Sequence, residues 1–338
     1  MRPFKTGKIP SDILVRNVLH YKGRKDLSVI LGSAVGEDAA LVAVRDKVLV
    51  FTTDPVTGTT SDIGWLSVHI NANDVACRGG KPRWFLCDLL LPERSTTRDV
   101  DSIMKRVDYA AKELGVAVVG GHTEVTLGLK KPIIVGYMVG LVDKDKYVTS
   151  GGARPNHDLI MTKFAGIEGT ALLAMDFSHK LKLDSRTIAH ARNLSNSISI
   201  VKDATIAIKK GGVSAMHDPT EGGILQGIWE IGEASKVGFI VHERKIHIRA
   251  ETKRICSLLG INPLRLMSSG CLLIAADNRN SARIVRRLRH NGIGAEIIGN
   301  FTRRERGRKL VRINGSKVNI KASERDELYR VIENSERS

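Results

Sequence analysis

A chain of 338 residues with 42% hydrophobic content has apolar material for two ordinary cores, and the lack of any run of about 18 apolar residues excludes a membrane-spanning helix. Its 53 Lys and Arg against 36 Asp and Glu give a net charge of +17, which attracts phosphates of any kind; with aromatics at 4% and the basic residues spread out, nucleic acid is not expected as the main partner. Cys77, Cys87, Cys256 and Cys271 stand singly, with no His at ligand spacing, which excludes a disulfide framework and a zinc site. No apolar stretch follows the basic N-terminus, so a cytoplasmic protein with reduced thiols is expected.

Residues 47–54 read as a short strand, and 63–77 has the period of a helix. A second strand follows at 84–91, and then a helix at 100–114 with Ile103, Val107, Ala110 and Leu114 on one face. Further strands are expected at 116–119 and 132–141. Turn formers cluster at 149–155, and the alternation starts afresh with a strand at 158–162. The domains are therefore placed at 1–150 and 151–338. Helices are expected at 169–175, 197–209, 223–235 and 280–291, with a strand at 295–299. The basic run 303–309 reads as a solvated turn before a strand. The class is α/β (α+β).

Several acidic residues stand beside glycines or at the ends of apolar runs, where side chains can meet a ligand. Gly36 precedes Glu37 and Asp38; Asp54 ends a strand; Asn71 and Asn73 lie beside Asp74. On the helix from Ile63, residues Ser67, Asn71, Asp74 and Arg78 form a polar stripe that can face a cleft. Gly120-Gly121-His122-Thr123-Glu124 follows a strand, with Gly permitting close approach to a phosphate and Glu124 available to a cation. Hard oxygen donors gathered from several loops suit Mg²⁺, which usually accompanies substrate phosphates. Any one such Asp is more often a cap or a turn former than a metal ligand. His69 is read as structural; for His217, beside Asp218, proton transfer and a structural role stay open. Lys163 at a strand end is a candidate phosphate contact or a solvated lysine.

The order of these segments carries more than any one of them. Gly-Glu-Asp-Ala-Ala from Gly36, Thr-Thr-Asp-Pro ending at Pro55, the run from Val68 to Arg83, Gly-Gly-His-Thr-Glu from Gly120 and Gly-Gly-Ala-Arg-Pro from Gly151 appear in series. Together with Asp218-Pro219-Thr220-Glu221-Gly222-Gly223, the series resembles the AIR (aminoimidazole ribonucleotide) synthetase superfamily, nearest to its HypE branch. The resemblance runs from about Gly7 to Phe301. It implies a homodimer whose N-terminal sheets pair into a barrel, each followed by a C-terminal α/β sandwich. It further implies Mg²⁺ and ATP as cofactors, with the γ-phosphoryl group passing to an oxygen of an amide or a small-molecule acceptor. Carried over by position, Asp38, Asp54, Asp74 and Glu124 hold metal, and Asn71, Asn73, Gly120, Gly121 and Lys163 serve the nucleotide. Asp74, Asp218 and His217 are the catalytic candidates.

Two departures qualify the resemblance. His122 stands where HypE commonly has an acid, which moves the expected carboxylate to Glu124, and no cysteine follows Cys271, so the HypE chemistry on a terminal cysteine is not expected here. The alternative to an enzyme is a non-catalytic nucleotide- or protein-binding regulator of the same fold.

Overall fold

Alternating apolar positions between residues 40 and 143 make strands with one buried face, and the computed structural model gathers them, with Val29–Leu31 and the exposed strand Ala117–Val125 at the edges, into a six-stranded sheet. Residues 4, 6–57, 59, 61–209, 211–323 and 325–336 are described; part of the basic N-terminus and the last two residues lie outside them. The chain forms two compact units, one of residues 27–32 with 38–147, the other of 1–26, 33–37 and 148–338. The residues before 27 therefore belong with the second half rather than with the first, as a single cut at 150 had them.

Helix α1 (Ser11–Asn17) belongs to the larger unit. The smaller unit then runs β1 (Val29–Leu31), β2 (Ala40–Val44), β3 (Lys47–Val56), α2 (Ile63–Cys77), β4 (Lys81–Leu91), α3 (Thr97–Leu114), β5 (Ala117–Val125) and β6 (Ile133–Asp143). Its strand order is β1-β2-β3-β6-β4-β5. Val48, Val50, Ile134, Met138, Phe85 and Leu89 line the buried face, against which α2 packs. Helix α3 starts where Thr96 and Asp99 form a reciprocal capping box and stops at Gly115, and it buries Val107, Ala110 and Ala111. Two expectations change here. Asp54 lies inside β3, because that strand continues to Val56 opposite β6; Gly120 to Glu124 belong to β5 rather than to a loop, because β4 is long enough to pair through Val125.

The larger unit contains β7 (Asp158–Thr162), α4 (Ile167–Asp176), α5 (Ser185–Arg192), α6 (Val201–Ile208), β8 (Val213–His217), α7 (Gly223–Ala234) and β9 (Gly238–His242). It continues with α8 (Ala250–Leu259), β10 (Leu273–Ala276), α9 (Asn278–His290), β11 (Ala295–Thr302), β12 (Arg308–Val311), β13 (Lys317–Asn319) and α10 (Glu327–Glu336). The seven strands are ordered β13-β12-β9-β11-β7-β10-β8. Ile224, Leu225, Ile228 and Ile231 of α7 join Leu159, Met161, Phe239, Leu273 and Phe301 in one core. The expected helix at 197–209 begins only at Val201, since residues Asn193–Ser197 close into a 3₁₀ turn.

Candidate active site

Every residue of α2 is buried, so its polar stripe does not face an open cleft. The polar side chains of α2 and the Arg78 that follows it bond instead to β3 and to Asp38, just before β2. Thr52 Oγ1 lies 2.6 Å from Asp74 Oδ2 and 3.1 Å from the Asp38 carbonyl, and Arg78 donates to Asp38 Oδ2 at 2.6 Å. Asn71 accepts from the Asp54 backbone N–H at 3.0 Å and donates to the Ser67 carbonyl at 2.8 Å. Asn73 is buried on the same helix. Room for Asn71 depends on Gly136 of β6, where a Cβ would stand 2.4 Å from the Asn71 amide nitrogen. Asp38, Asp54, Asp74 and Asn71 are thus gathered around β3 and α2, with Asp38 and Asp54 partly open to solvent.

Glu124 stands elsewhere. Asp54 is in register with Gly136, Gly136 with Cys87, and Cys87 with Gly121, three strand spacings or about 14 Å across the sheet, with Glu124 further along β5. Ligands about 2 Å from one Mg²⁺ cannot span that gap. Glu124 instead accepts from Thr126 Oγ1 at 2.7 Å and lies 3.3 Å from His122 Nε2, bonds that hold its pKa below the usual value. Among the described residues no group of three or more His, Cys, Asp or Glu side chains is placed to hold a metal ion. The donors around β3 remain hard oxygens of the kind Mg²⁺ takes, and no thiol or imidazole is among them. The sheet itself requires Gly121: its φ is +146°, and a Cβ there would meet the Cys87 carbonyl oxygen at 2.0 Å. Gly120 meets no such obstacle.

In the larger unit His217 ends β8 and is held at both ring nitrogens. Nε2 lies 2.7 Å from Glu230 Oε2 and Nδ1 lies 3.4 Å from Ser150 Oγ. Asp218, the next residue, is buried. Lys163 is neither a solvated lysine nor a phosphate contact. Its ammonium donates to the carbonyls of Ser197, Ser199 and Gly270 at 3.1, 2.7 and 2.9 Å and lies 3.2 Å from Asp203 Oδ1, so its three N–H groups are spent on the fold.

Sequence reading missed the surroundings of the turn after Asp218. Lys8 Nζ lies 2.9 Å from Glu221 Oε2 and 3.1 Å from Thr220 Oγ1. Asp326, just before α10, accepts from the backbone N–H of Gly222 at 2.6 Å and of Leu328 at 2.7 Å. Burial pushes its carboxyl up to about 7. Glu168 on α4 is pushed up to about 8 by burial, with Glu221, Asp218 and Asp326 adding to the rise. An Asp directly before an apolar helix is a readable cap signal; the approach of Lys8 to Glu221 across the whole chain is not.

Two sequence-family descriptions cover this arrangement: AIR synthase related protein, N-terminal domain, over residues 36–142, and AIR synthase related protein, C-terminal domain, over residues 154–312. The chain belongs to the AIR synthase-related family. A putative hydrogenase expression/formation protein of Methanocaldococcus jannaschii is 29% identical to it over 92% of this chain and 93% of that protein. Carbamoyl dehydratase HypE of Escherichia coli is 25% identical over 87% of each. The fold is likewise that of a hydrogenase maturation protein HypE solved in complex with ATP, at a TM-score of 0.72 and 21% identity over 96% of this chain and 98% of that one. The mixed α/β architecture of two sheets is therefore the AIR synthase-related fold. Among the described residues no helix is long and apolar enough to cross a membrane.

Proposed function

We propose that this chain is an ATP-dependent enzyme that transfers the γ-phosphoryl group of Mg-ATP to an oxygen of an amide or of a small-molecule acceptor. The observation that carries the reading is the gathering of Asp38, Asp54 and Asp74 with Asn71 at β3 and α2, in a chain whose relatives include a carbamoyl dehydratase and whose fold is that of an ATP-bound HypE. In this reading Asp38, Asp54 and Asp74 hold Mg²⁺, and Asn71, Asn73, Gly120 and Gly121 lie along the triphosphate. Bound Mg²⁺ supplies charge neutralisation, the main demand of phosphoryl transfer. Asp218 and His217 of the larger unit are further catalytic candidates, His217 with its tautomer set by Glu230. The four cysteines of this chain are buried, and burial raises Cys256 to about 12 and Cys271 well above the usual thiol value. None is a ready nucleophile, which favours a separate acceptor molecule.

Homodimerisation is part of the proposal. Strand β5 is an edge with all nine residues exposed, Val118, Val119 and Val125 among them, and Phe51 and Tyr137 show on the outer face of the same sheet. Glu124 lies too far from Asp54 to serve the same metal, so its place in the ligand set requires a second copy. Light scattering should return twice the 37.0 kDa chain mass; a monomer at every concentration removes Glu124 from the set.

Calorimetric titration with ATP in Mg²⁺, run beside an assay for released ADP or AMP, tests the central claim. Saturable binding with slow hydrolysis, abolished in turnover by Asp74→Asn while the fold persists, is the expected result. The anchoring of His217 at both nitrogens favours one alternative, a non-catalytic regulator that binds nucleotide or a protein partner. Binding without any turnover would select it.

A further inference from the structure

Helix α9 carries Arg279, Arg283, Arg286, Arg287, Arg289 and His290, and no Asp or Glu occurs from 278 to 290. Ser281, Ile284, Val285 and Leu288 are its buried face, while all five arginines and His290 are exposed. At 3.6 residues per turn Arg279, Arg283, Arg286 and His290 fall on one ridge opposite the core, about 16 Å long, with Arg287 flanking it. Two members are partly neutralised: Arg279 pairs with Asp277, and Arg289 with Glu296. Arg283 donates to Asn280 Oδ1 at 2.7 Å. Arg286 and Arg287 have no ion pair or hydrogen-bond partner for their guanidinium groups among the described residues. Helix α6 packs beside α9, and its Lys202, with Lys209 just after its end, extends the exposed positive surface.

We infer that the α6–α9 face binds the phosphate backbone of double-helical DNA without reading its sequence. Guanidinium groups pair bidentately with phosphate, and a duplex offers a charge every ~1.7 Å of axis, so one ridge meets several phosphates at once. A membrane surface fits less well, because the apolar side of α9 is already spent on the core and nothing remains to enter a bilayer. A protein partner would want an aromatic or aliphatic anchor, and neither helix exposes a large apolar side chain. Single strands need stacking platforms, which this face also lacks. A helix about 10–12 Å across matches the B-form major groove at about 12 Å, whereas the A-form RNA groove is deep and narrow. The six basic residues already lie within residues 279–290, and the helix turns four of them onto one ridge.

Fluorescence polarisation of the full chain with a labelled DNA duplex of about two helical turns, over a salt series, tests the assignment. Arg286→Gln with Arg287→Gln should lower the slope of log Kd against log salt by about 2 and weaken binding tens-fold near 0.1 M salt. Arg286→Lys with Arg287→Lys should keep the slope, and a matched Arg303→Gln, Arg304→Gln variant should bind as the parent does. An unchanged melting temperature separates lost contacts from lost structure. The inference is overturned if the Gln pair on α9 leaves the slope intact, if the 303/304 variant loses as much, or if duplex RNA or anionic vesicles bind as tightly as DNA.

Discussion

In the smaller unit Arg78 keeps its charge under complete burial, because Asp38 lies 2.6 Å from the guanidinium. In the larger unit Glu168 is buried among the carboxylates of Glu221, Asp218 and Asp326, and desolvation raises its pKa to about 8, so at neutral pH it is mainly protonated. Both arrangements avoid an isolated buried charge, one by pairing and the other by neutralisation. The two arrangements therefore differ in what disturbs them. Removing a partner breaks the first, and changing pH breaks the second. Asp38 of this pair is itself a candidate metal ligand, so its retained charge can serve phosphate chemistry. The neutral acids lie around the turn from Asp218 to Gly223, where Asp326 ties α10 to Gly222.

The sharpest way to break this contrast is to remove Arg78. Arg78→Ala strands the partly buried Asp38 carboxylate and empties a fully buried site, at a cost of about 3–5 kcal/mol. Hydrogen exchange read separately along α2 and α4 should show the loss in α2 and leave α4 protected. Equal loss in both helices would mean that the two units unfold as one. Glu168→Gln should cost little at pH 6, since it replaces one neutral hydrogen-bonding group by another.

Alkali sharpens the comparison from the other side. A carboxyl whose folded pKa lies above its unfolded value contributes stability that is complete below the unfolded value and is lost as pH rises through the folded one. For Glu168, with 4.5 as the ordinary value and about 8 in the fold, the window runs from 4.5 to above 8, and at most about 5 kcal/mol is at stake. Protection of α4 should fall as pH is raised from 6 to 9, and Glu168→Gln should flatten that fall. Acid acts on the smaller unit. Burial lowers His69 to about 4, so the folded state resists its protonation and stability is lost as pH falls from 6.5 towards 4, by up to about 3 kcal/mol. Its ring lies against Trp65 and 3.5 Å from Glu113. His69→Gln should remove most of the acid dependence of α2 exchange and leave the alkaline limb of α4 unchanged.

The fold was more legible than the site, for reasons particular residues show. Strong periods in α3 and α7, the length of the largely apolar α2 and the apolar runs of β3, β4 and β6 placed those elements within a few residues. Short strands such as β10, apolar throughout, and β9, apolar up to His242, carry no period of their own, and they were missed. Asp38, Asp54, Asp74 and Asn71 were legible as a series of motifs, yet whether a carboxylate faces solvent or a threonine depends on partners far away in sequence. Lys163 shows the limit. A lysine at a strand end reads as solvated or ligand-facing, and only the return of residues 197, 199 and 270 turns it into a clamp on three carbonyls. Glu124 failed for a different reason: its motif was sound, but strand order, which local sequence does not encode, put two strands between β5 and β3.

The smallest expected effect concerns Lys8, whose ammonium reaches Glu221 and Thr220 from the far end of the chain. Its side chain is 60% exposed, so solvent screens the pair and its worth to stability is about 0.2–1 kcal/mol. Glu221 is the less solvated partner. Burial opposes its charge, and Lys8 together with backbone and Thr220 hydrogen bonds overcomes that opposition and holds its pKa below the usual value. Lys8→Ala should therefore move melting temperature by little while raising the Glu221 pKa, measurable by carboxyl ¹³C titration. Glu221 stays ionised in the range near pH 8 where Glu168 titrates, so the Glu168 pKa should not fall, and the Glu221 shift should stand alone in the spectrum. If Glu221 stays fixed, its charge does not depend on Lys8, and Lys8 is a surface contact alone.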